Sequence, residues 1–168
     1  ERIVQSIAAG LGMNGLPLRR MLDPSAGMGV FSQALAGEQT EVVSFEKDLV
    51  TGRILQLLTA DNPRQTVRIE GFEEIEAREA GRFDLVASNI PFGNFAIYDR
   101  AYSKGKDAAK REATRAIHNY FFVKGLDCLR EGGLLAFITS RGVADSPTNA
   151  PIREYLMDHS RLVSALRL

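Results

Sequence analysis

Asp23-Pro24-Ser25-Ala26-Gly27-Met28-Gly29-Val30-Phe31 is the stretch on which the reading of this chain turns. It follows a short apolar segment, Leu18 to Leu22, and runs into helical spacing from about Val30 to Ala36. A strand, a glycine-rich turn and a helix in succession place a ligand-binding loop at the carboxyl end of a strand in an open α/β sheet. Gly27 and Gly29 permit tight turns and close approach of a ligand. The helix behind them would aim its first amides and positive dipole end at that ligand. The dinucleotide fingerprint G-x-G-x-x-G is not met, because Ser32 stands at the third glycine position, and there is no P-loop lysine. Asp23 would repel a pyrophosphate and suits a ligand that carries an ammonium or other positive charge.

Outward from the turn, the apolar pattern alternates strands with helices. Strands are predicted at Leu18–Leu22, Val42–Phe45, Val67–Ile69, Phe83–Ser88 and Leu134–Thr139, with a sixth beginning over Leu162–Leu166. Helical spacing covers Ile3, Val4, Ile7, Ala8 and Leu11, with Gly10, Gly12 and Gly15 to end it, and recurs over Leu49–Leu58, Ala113–Leu129 and Ile152–Asp158. Asp61-Asn62-Pro63 closes the second of these and Gly132-Gly133 stops the third. Strands joined by helices pair in parallel, so the predicted fold is α/β: a Rossmann-like, doubly wound, mostly parallel sheet with helices on both faces. The 168 residues suit one domain with a proper core.

Composition excludes several classes. Apolar residues make up 45% and charged ones 25%, as in ordinary globular domains. Asp, Arg or Lys interrupts every apolar run, so no membrane span is expected, and no signal-peptide layout is present. Cys128 is the single cysteine, which rules out an internal disulfide and leaves a zinc cluster implausible. These features are those of a cytoplasmic protein. The formal net charge is zero, whereas a domain that grips nucleic acid by itself carries a basic excess. Most phosphate contacts are therefore expected outside this chain. It begins at Glu1 and ends at Arg167-Leu168, where a strand is expected to start, and reads as a piece of a longer protein.

Two further features carry chemistry. Glu46 lies 19 residues beyond Gly27, at the end of the second predicted strand, where a carboxylate accepts hydrogen bonds from both ribose hydroxyls. A cationic ligand with a ribose points to S-adenosyl-L-methionine rather than NAD. A structural turn with a surface glutamate is the plainer alternative. The second feature is Asn89-Ile90-Pro91-Phe92, directly after the strand Phe83–Ser88. Methylation of an exocyclic amine is hard because its lone pair is delocalised into the ring. The Asn89 side-chain carbonyl and the Ile90 backbone carbonyl, both accepting from the amine, favour a pyramidal nitrogen with a free lone pair. Pro91 stiffens the turn, and Phe92 can stack on a base, worth roughly 1–3 kcal/mol. Alone, this is also an ordinary Asn-containing turn before proline. The ordered pair of motifs is what gives it force.

Together these residues resemble the class I S-adenosylmethionine-dependent methyltransferases, specifically the DNA enzymes that methylate adenine N6. Their cofactor motif is similar to Asp23–Phe31, their acidic ribose position to Glu46 in Phe45-Glu46-Lys47-Asp48, and their Asp/Asn/Ser-Pro-Pro-aromatic motif to Asn89–Phe92. Ile90 departs from the pattern but keeps the carbonyl. Cofactor motif before catalytic motif is the gamma order, and the likeness covers roughly Asp23 to Arg141. It implies Asp23 beside the cofactor amino group, with a hydroxyl contact from Ser25. It places Gly27, Met28 and Gly29 along the cofactor through their backbone, Lys47 beside the adenine and Phe72 packed near it. The leading helix within residues 1–15 would help hold the methionine end. It also implies DNA as partner, a target adenine flipped out of the duplex, and a target-recognition region outside this chain. Restriction-modification systems and large proteins of mobile elements are the settings in which such domains occur.

Alternatives stay open: RNA amino groups, protein glutamine amides, or a catalytically silent module. Cys128 follows Asp127 in an apolar helix and is expected in the core, which excludes cysteine-dependent carbon methylation. His118 and His159 are read as helix residues. Glu73, Glu74, Glu76 and Glu79 are read as a solvated helical face. The segment Asp99–Arg115 holds six basic residues against three acids, with Tyr98 and Tyr102 near its start. It is read either as a mobile loop that touches phosphates or as a solvated loop and helix start.

Overall fold

The computed structural model describes residues 2–10 and 18–167. Five strands form one parallel sheet: β1 Arg20–Asp23, β2 Glu41–Phe45, β3 Gln65–Arg68, β4 Phe83–Asn89 and β5 Leu129–Ile138. Their order in space is β3-β2-β1-β4-β5. Chain order thus runs outward from β1 in both directions, and the gap between β1 and β4 is the switch point where such sheets bind ligands. The carboxyl ends that meet there carry Asp23 and Asn89.

The chain divides into two compact units, residues 1–90 with 127–138 and residues 91–126 with 139–168. The first holds the whole sheet with helices α1 Arg2–Gly10, α2 Val30–Leu35 and α3 Leu49–Leu58. Met21, Val42, Leu85 and Ala87 from the strands pack with Val4 of α1 and with Phe31 and Leu35 of α2. Leu55 of α3 is also fully buried. Asp48 opens α3 by accepting from the Thr51 amide at 2.8 Å, which satisfies one of the free amides of the first turn. At the amino ends of the strands, Asp84 of β4 accepts from the amides of Arg19 and Arg20, each at 2.8 Å, which fixes the entry to β1.

The second unit contains α4 Arg100–Ser103, α5 Ala108–Ala113, α6 Ile117–Cys128 as far as Leu126, α7 Gly142–Asp145 and α8 Ala150–His159. Its buried centre is polar as well as aromatic. Asp99 accepts from Tyr120 Oη and Lys124 Nζ, both at 2.8 Å, and caps α4 through the Ala101 and Tyr102 amides. Tyr102 meets Tyr120 edge-on at 5.5 Å.

Several expectations change. The helix predicted over Ala113–Leu129 starts only at Ile117 and ends at Cys128. The segment 99–115 carries α4 and α5, capped by Asp99 and Asp107. Strand β5 begins at Leu129 because Phe83 pairs with Leu129 before the register slips to Leu85–Leu134. Gly132, at φ +73°, turns the chain inside that irregularity. No sixth strand forms among the described residues: Leu162, Val163 and Leu166 are at least three-quarters exposed, with no neighbouring strand to pair with. Leu11, Gly12 and Gly15 lie outside the described residues. Among those described, no helix is long and apolar enough to cross a membrane.

Candidate active site

The glycine-rich turn is built from backbone hydrogen bonds at the end of β1. The Ala26 amide donates to the Phe45 carbonyl of β2 at 2.9 Å and the Gly29 amide to Ala26 at 2.8 Å. Gly27 and Gly29 have φ of +53° and +78°, left-handed values that side-chain-bearing residues rarely adopt. The two differ in surroundings. A Cβ on Gly29 would lie 2.8 Å from Leu55 Cδ1, whereas one on Gly27 would meet nothing within 4 Å. Gly29 serves packing, and Gly27 leaves an open cradle.

Glu46 closes the turn from the side. Its Oε2 accepts from the Gly27 amide and its Oε1 from the Asp48 amide, each at 2.8 Å. One carboxylate thereby clamps the turn after β1 to the start of α3. Lys47, which follows, pairs with Glu73 at 2.7 Å. Glu76 pairs with Arg68 and Arg78, and Glu79 with Arg20. Three of these four acids are thus ion-pair partners rather than a solvated helical face: Glu73 and Glu79 lie on two short 3-10 turns, Phe72–Glu74 and Ala77–Glu79, Glu76 lies between the turns, and Glu74 stays exposed. Phe72 is 1% exposed, edge-on to Phe45 at 6.1 Å, so its ring is taken up by the core.

Asp23 is wholly buried. Its Oδ1 accepts from Ser88 Oγ at 2.7 Å and, more loosely, from the Ser25 amide at 3.4 Å. Its Oδ2 is buried without a hydrogen-bond partner. Burial pushes the Asp23 carboxyl up to about 7, the bonds from Ser88 and Ser25 pull it down, and the Glu46 charge adds to the rise. Such an orphaned carboxylate oxygen is costly unless a ligand completes it.

Ser88 Oγ also lies 3.1 Å from the Ser25 carbonyl. The residue after it is Asn89, which ends β4 with its side chain exposed and without a hydrogen bond among the described residues. Ile90 buries its side chain, 1% exposed, and its amide donates to Ile138 at 3.1 Å, while its carbonyl has no partner among the described residues. Two acceptors are therefore left open at adjacent positions. Asp23, Ser25, Gly27, Gly29, Glu46 and Asn89 thus share one sheet edge, as their spacing implied. Ser88 was not singled out in the sequence. A serine closing an otherwise apolar strand, one residue before Asn89, was the available signal.

In the second unit, Phe92 is 57% exposed, as are Phe95 and Tyr98 at 50% and 68%. His118 Nδ1 lies 3.1 Å from the Gly93 carbonyl, and the Ile117 amide donates to Phe95 at 3.0 Å, so the start of α6 holds this loop. His118 has a structural partner, and Cys128 is buried at the end of α6. Among the described residues, no group of His, Cys, Asp and Glu side chains gathers to hold a metal.

The family model for Eco57I restriction-modification methylases matches residues 34–167. The chain belongs to that family. Among curated proteins, none matches. Solved structures of similar fold include an S-adenosylmethionine-dependent O-methyltransferase from Thermotoga maritima, 15% identical with a TM-score of 0.59, over 94% of this chain and 49% of that one. A proposed RNA methyltransferase from Pyrococcus horikoshii is 20% identical with a TM-score of 0.56, over 94% of this chain and 66% of that one. TYW2 from P. horikoshii, solved in complex with MeSAdo, is 13% identical with a TM-score of 0.57, over 92% and 52%. The methylase-family chain spans about half to two-thirds of the length of these structures. They place its fold among the Rossmann-like class I methyltransferases.

Proposed function

We propose that this chain is the catalytic domain of an S-adenosylmethionine-dependent methyltransferase that acts on adenine N6 in DNA. The observation that carries the reading is the Asp23–Ser88–Asn89 arrangement: a buried, incompletely paired acid joined through one hydroxyl to the strand end that offers open acceptors. Membership of a restriction-modification methylase family supports DNA as the substrate.

The residues present fit the cofactor. The unpaired Asp23 Oδ2 suits its ammonium group, and the cradle over Gly27 leaves room for close approach. Glu46 keeps lone pairs beyond those used by the Gly27 and Asp48 amides, enough to accept from ribose hydroxyls. Ser25 adds a hydroxyl, Gly27 to Gly29 line the ligand with backbone, and Lys47 stands on the adenine side, while Phe72 backs the site from the core. When bound, the cofactor supplies an electrophilic methyl group on a positively charged sulfur.

The chain's own part is positioning and electrostatics. Asn89 Oδ1 and the Ile90 carbonyl accept the two N–H bonds of the adenine amine and free its lone pair. Methyl transfer would break the sulfur–methyl bond, leaving a neutral thioether and a positive nitrogen; that charge would strengthen both hydrogen bonds, and one N–H proton would then pass to water. Pro91 holds the turn, and Phe92 stacks on the extruded base. Sequence selection falls to a recognition region outside this chain, and the enzyme works in the cytoplasm.

Incubation with methyl-labelled cofactor and unmethylated DNA tests the reading. Label recovered in N6-methyladenine is the expected result. Label found only in RNA or protein amide would replace DNA as the substrate.

A further inference from the structure

The zero net charge of the chain conceals a division. The first unit carries ten Lys and Arg against fifteen Asp and Glu, a net −5, and the second carries eleven against six, a net +5. An expectation that phosphate contacts lie outside the chain followed from the total alone. By itself, the second unit has the basic excess of a nucleic-acid-binding surface.

The excess is concentrated where acids are used internally. Between residues 99 and 115, Asp99 is buried under Lys124 and Tyr120, Asp107 caps α5 through the Ala109 and Lys110 amides, and Glu112 pairs with Arg115. Arg100, Lys104, Lys106 and Arg111 are exposed and have no carboxylate partner among the described residues. The segment leads directly from Phe95 and Tyr98, two half-exposed or more exposed rings with no burial to explain them. Hydrogen bonds tie its two ends and its middle together. The Ile97 amide donates to the Thr114 carbonyl at 2.8 Å, and Arg111 Nη1 donates to the Gly105 carbonyl at 2.6 Å. Gly105 is required there, since a Cβ would lie 2.5 Å from the Ala101 carbonyl oxygen. Capped short helices thus hold cations and rings on a built element.

We infer that Phe95, Tyr98, Arg100, Lys104, Lys106 and Arg111 form a binding site for single-stranded DNA. The cations take the phosphates, and the rings stack on unpaired bases. Exposed aromatic rings interleaved with cations suit unpaired strands, because every base offers a π-face while a closed duplex hides it. The inference rests on the proposed action on DNA and adds a second contact region, beyond the methyl-transfer residues.

The test measures binding of a fluorescein-labelled single strand, its duplex and an RNA of the same sequence by anisotropy across a salt series. The triple variant Arg100→Ala, Lys104→Ala, Lys106→Ala is expected to bind the single strand at least about tenfold more weakly, with the slope of log affinity against log salt reduced by about two. The pair Phe95→Ala, Tyr98→Ala is expected to lose about tenfold on the single strand at unchanged slope. Binding of S-adenosylhomocysteine and the thermal midpoint should stay as in wild type for both. Variants that bind DNA like wild type, while wild type methylates DNA, would overturn this site and leave the proposed function standing. A wild type that neither binds nor methylates DNA would overturn both, and tighter binding of RNA through the same residues would overturn the assignment to DNA.

Discussion

Ser88 Oγ donates a 2.7 Å hydrogen bond to Asp23 Oδ1, tying the last buried residue of β4 to the acid that ends β1. The bond spans the switch point of the sheet and joins the strand end that leads into the glycine-rich turn to the residue before Asn89. Removal of this hydroxyl should disturb both halves of the site. Ser88→Ala leaves a buried carboxylate short of its best partner, a loss of about 1–3 kcal/mol in stability. It should also raise KM for the cofactor, and Ser88→Thr should restore much of both. Chemical unfolding and cofactor titration check this. Wild-type cofactor affinity in Ser88→Ala would detach the serine from the site.

The Asp23 carboxyl, raised by burial from 3.8 to about 7, makes the protein's pH dependence specific. A raised acid binds more protons in the folded than in the unfolded chain across that window. Its stabilising effect is therefore full below about 3.8 and is lost as pH rises through about 7. Asp23→Asn should flatten this dependence and raise the thermal midpoint of the ligand-free protein at pH 8. Binding of a cationic amine should need the ionised acid. Affinity for S-adenosylhomocysteine should therefore climb by up to about tenfold per pH unit below about 7 and level off above it. Isothermal titration across pH measures it, and Asp23→Asn should remove the climb together with most of the affinity.

Gly27 and Gly29 separate binding from folding. Gly29→Ala meets Leu55 at 2.8 Å with an unfavourable φ and should cost on the order of 1–3 kcal/mol. Gly27→Ala points its methyl group into open space. It should weaken cofactor binding at least tenfold at a smaller cost in stability. Thermal melts and titrations of both variants would show the contrast.

Asp99 anchors the second unit. Burial works to raise its carboxyl, but hydrogen bonds from Lys124 and Tyr120 outweigh it and hold it below the usual carboxylate range. An acid with a depressed value contributes stability above its unfolded value that is lost as pH falls through the folded one. Asp99→Ala leaves the Lys124 ammonium nearly buried and unpaired and should cost about 3–5 kcal/mol. Hydrogen exchange should report the loss in α4 and α6 first.

What the sequence disclosed was local. The glycine turn, Asp23, Glu46 and Asn89 sit within short spans whose chemistry is set by neighbours in the chain, and parallel pairing follows from strands alternating with helices. Strand Phe83–Ser88, one residue short of its observed end, and helix Leu49–Leu58 were legible for the same reason. Relations between distant residues were not. The bond from Ser88 to Asp23 joins positions 65 apart, and the partners of Glu73 and Glu79 lie on other elements. Leu162–Leu166 has strand composition, but composition supplies no partner strand. Net charge concealed its own distribution, because the chain enters the second unit at Pro91, leaves it after Leu126 and enters it again at Thr139.

In the proposed function, Asn89 presents an adenine amine for methylation. The most direct test of this role expresses the protein in a host without DNA methylases, digests the host DNA to nucleosides and measures N6-methyladenine by mass spectrometry. Wild type should give a clear signal. Asn89→Ala should give none while binding S-adenosylhomocysteine within a few-fold of wild type. A methyladenine signal that persists in Asn89→Ala, or its absence from wild type with cofactor binding intact, would contradict the account.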